Sequence, residues 1–282
     1  MEKTPLEDNF EDIVSKAQVG YQISLSELAE KSGVPTQTIQ AIKSGKLDAS
    51  ALGAIAPHLN LDAPSLMRIA EQAWYPEITT YPNVERFNTP FPMSGYEDMT
   101  VNAYVVADPS SKDCIVFDSG TDASPIVEYI EQAHLNLRAI LLTHTHRDHI
   151  HDLKTLQKLK SNPSVYVNKH EPVENAHLFG HGEHFKFGSI ECVARQTSGH
   201  SAGGTTFVIQ QTDACTVPIA IVGDAIFAGS VGGAPKRMQE AVTHIRDKVL
   251  ALPANTLLCP GHGPMTTVAE EQKNNPFFAT AT

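Results

Sequence analysis

The 282-residue chain has no excess of positive charge: 21 Lys and Arg stand against 32 Asp and Glu, a formal net charge of -11. That excludes charge-driven nucleic-acid binding over the whole surface and leaves room only for a small local patch. No stretch is long and apolar enough to span a membrane. The start, residues 1–8, is polar and acidic and lacks the basic-then-apolar order of a secretory signal, so a cytoplasmic location is expected. Cysteine is scarce. Cys114, Cys192, Cys215 and Cys259 lie far apart in no metal-binding spacing, which predicts reduced thiols in the core. No Gly-x-Ser-x-Gly element is found, so nothing points to a serine nucleophile. Internal repeats and low-complexity tracts are absent too. What is present is 41% hydrophobic residues, enough for a sizeable buried core.

Three regions differ in character. Residues 1–75 read as helices, with Leu25, Leu28 and Ala29, then Ile39 and Ile42, then Leu52, Ile55, Ala56 and Leu59 at helical spacing. Ser24-x-x-Glu27 is a capping-box signature, Ser32-Gly33-Val34-Pro35 breaks one helix, Thr36 can cap the next, and Ser44-Gly45 ends it. Residues 76–92 carry Pro76, Pro82, Pro90 and Pro92 without a clear period and read as an extended strap. Residues 93–282 alternate short apolar runs with helical segments, an α/β pattern. Strands are predicted at 101–106, 114–117, 139–142, 165–167, 190–195, 205–209, 217–222 and 257–259. Helices are predicted at 124–134, 150–160 and 236–251.

The chemistry concentrates in Leu141-Leu142-Thr143-His144-Thr145-His146-Arg147-Asp148-His149, which follows an apolar strand. A core does not favour three imidazoles and a carboxylate in six residues, because each buried polar group needs a partner. Metal binding gives them one, since neutral imidazole and carboxylate suit zinc and related divalent ions. His144 and His146, two apart at a strand end, can project to one side. Further donors follow other predicted strands: His200 in Ser198-Gly199-His200, Asp224 in Val222-Gly223-Asp224, and His262 in Pro260-Gly261-His262-Gly263.

These motifs resemble the metallo-β-lactamase superfamily, from about Thr100 to the C-terminus. The resemblance implies an αββα sandwich with two divalent ions at the sheet edge. It implies that His144, His146 and His200 hold one ion, that Asp148, His149 and His262 hold the other, and that Asp224 bridges them. Asp118, in Phe117-Asp118-Ser119-Gly120, matches the family's strand-end Asp that supports a ligand histidine. The ligand types suit zinc best, while iron and manganese fit similar sites. The segments from Gly223 to Ser230 and from Pro260 to Thr267, with Glu270-Glu271 and Asn274-Asn275-Pro276-Phe277, look like short glyoxalase II-type hydrolases, which cleave acyl-thioesters. The implied mechanism is attack on a thioester or ester carbonyl by hydroxide held between the ions, with Asp148 orienting it. A lactonase and a mononuclear iron persulfide dioxygenase are alternatives on the same fold; the full set of seven donors favours the hydrolase.

The sequence departs from the family at Ile150-His151-Asp152, where relatives usually carry small residues; this pair is expected to start a solvated helix. It departs again at Val231 to Arg237. Lys169, His170, Lys236 and Arg237 are candidates to meet an anionic substrate. His177, His181 and His184 lie in a glycine-containing stretch and are not assigned as ligands.

The segment from Leu25 to Lys46 resembles the helix-turn-helix of phage-repressor-like regulators. That resemblance implies a small all-α N-terminal domain whose Thr36, Gln37, Thr38, Gln40 and Lys43 could contact DNA. Only Lys31, Lys43 and Lys46 oppose Glu27 and Glu30 there, so docking or homo-oligomer formation are competing roles. A regulator that binds DNA and senses a metabolite at the metal domain is therefore the alternative from outside enzymology.

Overall fold

The computed structural model describes residues 4–77, 81, 83–91, 99–210 and 217–279. Its helices are α1 (Phe10–Gly20), α2 (Leu25–Ser32), α3 (Thr36–Ile42), α4 (Ala49–Ile55), α5 (Ala63–Ala70), α6 (Ser124–Gln132), α7 (Arg147–Ile150), α8 (Leu153–Gln157), α9 (Met238–Lys248) and α10 (Val268–Asn274). Its strands are β1 (Val84–Pro90), β2 (Thr100–Ala107), β3 (Asp113–Phe117), β4 (Asn136–Leu141), β5 (Ser164–Asn168), β6 (His177–Phe179), β7 (His184–Phe187), β8 (Ile190–Gln196), β9 (Thr205–Ile209), β10 (Ile219–Gly223), β11 (Ile226–Phe227), β12 (Ser230–Val231), β13 (Leu257–Pro260) and β14 (Thr266–Thr267).

Two six-stranded sheets result, ordered β1-β2-β3-β4-β5-β6 and β14-β13-β10-β9-β8-β7, with β11-β12 as a separate ribbon. Period-two alternation assigns each side chain to a layer. Along β2, Tyr104 and Val106 join Phe117, Leu141, Phe207 and Ile221 in the layer shared by both sheets. Their neighbours Ala103 and Val105 face outward with Val116, packed against Ile126 and Ile130 of α6 and Leu156 of α8. Along β10, Ile219 and Ile221 face the shared layer, while Ala220 and Val222 meet Met238, Val242 and Ile245 of α9. The layers are thus helix, sheet, sheet, helix.

The outer core beyond α9 does not stop there. It runs on through Ile13 and Val14 of α1, Leu28 of α2, Ile39 and Ile42 of α3, and Leu52 and Ile55 of α4. The N-terminal helices therefore share a continuous apolar core with the second sheet.

Local signals explain much of the helical part. Ser24 Oγ accepts a hydrogen bond from Glu27 N at 3.1 Å, and Gly33 closes α2 in the left-handed region at φ 70°. Thr36 does not cap α3: Pro35 occupies that position, and Thr36 is the first helical residue. The helix expected at 150–160 is split into α7 and α8 at Asp152, which leaves helical geometry and accepts from Ala123 N and Thr155 Oγ1. The one expected at 236–251 is shorter, because Lys236 has φ 63°. Within the proline-rich stretch, Val84–Pro90 forms the edge strand β1, paired antiparallel with β2. Pro82 and Pro92 lie outside the described residues, as does Cys215. Cys114, Cys192 and Cys259 are free and buried. Among the described residues, no helix is long and apolar enough to cross a membrane.

Candidate metal centre

Parallel pairing decides where the polar loops emerge. Phe117 of β3 pairs with Leu141 of β4, so Asp118 leaves its strand beside the run from Thr143 to His149. Gly223 of β10 pairs with Pro260 of β13, so Asp224 leaves beside Gly261 and His262. The approach is close enough to require glycine. A Cβ on Gly261 would lie 2.2 Å from Asp224 Oδ1 and 2.6 Å from His149 Cε1.

The donor atoms fall into three overlapping sets, each within 4.8 Å: His144, His146 and His200; Asp148, His149 and His262; and His144, His149 and Asp224. Asp224 lies between the first two. Its Oδ2 is 3.4 Å from His200 Nε2 and 3.3 Å from His262 Nε2, and its Oδ1 is 3.2 Å from His149 Nε2.

Four of these imidazoles have their outer nitrogen anchored, His144 through Nδ1 at 3.1 Å from Thr143 Oγ1. His149 Nδ1 lies 2.9 Å from Asp118 Oδ2, His200 Nδ1 lies 2.9 Å from Gly233 O, and His262 Nδ1 lies 2.7 Å from Thr100 O. Each anchor turns the other nitrogen toward the cluster, as second-sphere groups do at metal sites. Asp118 is itself fixed by Thr143, whose N and Oγ1 donate at 2.8 and 2.7 Å.

The buried atoms His144 Nε2, His149 Nε2 and Asp224 Oδ1 complete no hydrogen bond. A buried polar atom left so costs roughly 1–3 kcal/mol. Divalent cations would satisfy all three at once, so the residues fit such ions. The electrostatics agree. Burial works against charge on His149, but the Asp224 carboxylate and the Asp118 hydrogen bond outweigh it and push the imidazole up to about 10. Burial, then neighbouring His149, hold His144 well below the usual imidazole range. Burial would neutralise Asp224, yet His262 and His149 keep it ionised.

Two supporting residues escaped the sequence reading. Glu171 accepts from Thr145 N at 3.0 Å and from Gly203 N at 2.9 Å, tying the loop that carries His146 to the loop that carries His200. Thr143 joins Asp118 to the same loop. Nothing periodic marks either one. Glu171 adjoins the candidates Lys169 and His170, but its significance appears only when two distant loops meet on it.

A cavity of about 360 Å³ opens beside the centre, lined by Phe91, Met99, Val101, Arg147, Asp148 and His262 among others. Lys169, His170, Lys236 and Arg237 are exposed and do not line it; Arg237 is engaged with Glu240 at 2.7 Å. His151 is exposed and Asp152 is engaged with Ala123 N and Thr155 Oγ1, so neither crowds the donors. His177, His181 and His184 belong to none of the three donor sets. In the helical part, Thr36, Gln37 and Gln40 are exposed and Thr38 is half-buried. Lys43 is tied to α1 through Gln18 Oε1 at 2.6 Å.

Known proteins place this arrangement. A metallo-hydrolase of Bacillus subtilis, YqgX, named as probable, is 32% identical over 201 residues, covering 63% of this chain and 92% of its own. The hydroxyacylglutathione hydrolase GloC of Haemophilus influenzae is 28% identical over 194 residues, 59% of this chain and 88% of its own. The crystal structure of the B3 metallo-β-lactamase BLEG-1 superposes with a TM-score of 0.58 at 25% identity, over 70% of this chain and all of that one. Residues 96–262, which contain all seven donors, match the family model of the Metallo-beta-lactamase superfamily. With its two-sheet sandwich and its donors on the loops at one sheet edge, the chain belongs to that superfamily.

Proposed function

We propose that the protein is a binuclear metal-dependent hydrolase of thioesters or esters. The observation that carries this reading is the position of Asp224 between two complete donor triads. A mononuclear oxidation centre has no need of the second triad, so the persulfide dioxygenase reading is weaker. The first triad is His144, His146 and His200, the second is Asp148, His149 and His262, and Asp224 is the bridge. Two divalent ions held by these residues would lower the pKa of water toward about 7 and would polarise a carbonyl oxygen. Zinc suits these ligands best, with iron and manganese as close competitors.

The chain's own residues do the rest. Asp148 is half-buried at the cavity floor, and burial there is outweighed by His262 and His149, so its carboxyl stays ionised. It accepts a hydrogen bond from the attacking water and orients it. Asp118 holds His149 in place and does not touch substrate. The thioester preference is supported by the similarity to a hydroxyacylglutathione hydrolase.

The test is to purify the protein without added metal, count bound ions, and assay S-lactoylglutathione beside a lactone, a β-lactam and a persulfide. About two ions per chain with thioester turnover is the expected result. Persulfide oxidation with a single iron would overturn it, and lactone turnover alone would move the substrate to the lactonase class.

For the N-terminal helices, the exposed Thr36, Gln37 and Gln40 on α3 support a second role as a helix-turn-helix that docks on DNA. A gel shift against genomic fragments tests it; no shift at low salt would retire the DNA reading.

A further inference from the structure

The cavity beside Asp148 and His262 combines an apolar wall with an exposed arginine. Phe91, Met99 and Val101 form the apolar wall, and Arg147 lines the cavity with them. Arg147 is exposed and makes no hydrogen bond or ion pair with another described residue, a state it shares with Arg138 and Arg246, but it alone of the three lines the cavity. A guanidinium is charged at any working pH and offers a planar fork of donors that matches a carboxylate. The chain as a whole is strongly acidic, so this cation is a local feature and not part of a general positive field.

We infer that the cavity takes the acyl part of a substrate whose apolar chain ends in a carboxylate, and that Arg147 pairs with that carboxylate. A volume of about 360 Å³ lies at the small end of ligand sites, which suits a short acyl chain. Phe91, Met99 and Val101 shield the methylenes from water, and Asp148 and His262 place the carbonyl end at the metal centre. Arg147 is thus a specificity-determining residue, set in the chain between the donors His146 and Asp148 and lining the cavity.

The kinetic part of this inference rests on the proposed hydrolysis; the binding part does not. The metal-loaded, full-length protein is titrated calorimetrically with the N-methyl monoamide of adipic acid and with N-methylhexanamide. The expected result is about 10- to 100-fold tighter binding of the carboxylate-bearing amide, the range of a charge-assisted hydrogen bond. Arg147→Gln brings that ratio to within about threefold of unity, and Arg147→Lys restores part of it. In parallel, adipoyl and hexanoyl thioesters of one thiol are compared, and Arg147→Gln lowers the selectivity ratio through KM and not kcat. A wild-type binding ratio near one, or a ratio that survives Arg147→Gln because the carboxylate sits on the ions, overturns the inference. An Arg147-dependent binding ratio without thioester turnover keeps the anion site and sinks the hydrolase reading. Turnover of both thioesters with a ratio indifferent to Arg147 does the reverse.

Discussion

Asp118 stands at φ 60°, a left-handed conformation that Asp tolerates better than most residues, and spends both carboxylate oxygens on Thr143 and His149. Its replacement by Asn keeps the shape and weakens the acceptor for the imidazole. Asp118→Asn is expected to lower metal affinity about 10- to 100-fold, read by competition with a chelator. Asp224→Asn acts on both triads at once. Ion content should fall below two per chain, and turnover by at least about 10³-fold, since a catalytic ion supplies several kcal/mol. Glu271 gives a stability signature away from the donors. Full burial outweighs the hydrogen bonds from Thr266, Asn275 and Gly229 and pushes its carboxyl up to about 7, from 4.5 in the open chain. A raised folded-state value means that the protonated form is favoured in the fold. Its contribution is therefore present below pH 4.5 and lost as pH rises through 7. Relative to Glu271→Gln, the wild type should lose about 3 kcal/mol over that window, measured by urea unfolding at pH 5 and 8. Glu7, whose carboxyl burial also pushes up to about 7, is common to both proteins and cancels.

Helix α9 couples the N-terminal helices to the metal loops. On one side a Cβ at Gly20 of α1 would lie 2.6 Å from Met238 Cβ. On the other, Ser198 Oγ donates to Glu240 at 2.9 Å, His244 Nδ1 lies 2.9 Å from Ser198 O, and a Cβ on Gly199 would meet Ala241 Cβ at 2.4 Å. Loop 197–201 carries His200, so α9 cannot move without disturbing a donor. Gly20→Val overpacks the seam and should cost about 1–3 kcal/mol. It should also weaken ion retention, although residue 20 is no ligand. Thermal unfolding and metal analysis check both effects, and unchanged metal retention at lowered stability would break the proposed coupling. Elements of this kind resist sequence reading. No helical period stands out over α1, and α10 shows in the sequence only as motif residues, because their apolar residues gain meaning only against a core built from distant segments. The split between α7 and α8 was equally hidden: it depends on Asp152 bonding Ala123, which lies on another element.

The single Trp in the chain, Trp74, reports on the whole molecule. Its Nε1 donates to Glu270 Oε2 at 2.9 Å, which joins the end of the helical part to α10. Lys16 of α1 reaches the other part as well, donating to Val231 O at 3.2 Å and standing 5.0 Å from the Phe227 ring centre. A shared core and polar ties of this sort make independent unfolding costly, since each buried Leu, Ile or Val left uncovered forfeits about 1.5–3 kcal/mol. Trp74 fluorescence and far-UV dichroism should therefore change together in urea. Chelation should move both midpoints down together, because ions bound a thousandfold above their dissociation constant stabilise by about 4 kcal/mol.

The sequence by itself determined what local physics controls. Short apolar runs marked most strands, the Ser24 cap and Gly33 marked a helix start and stop, and the improbable density of His and Asp between His144 and His149 marked the metal chemistry. These signals need only neighbours along the chain. The tertiary structure alone decided the relations between distant segments. Parallel pairing put Asp118 beside His149 and Asp224 beside His262. Sheet packing set Arg147 at the cavity with Phe91 and Met99. Continuous burial merged the N-terminal helices with the second sheet. Contacts of that range depend on how whole elements pack, and no short window of sequence encodes them.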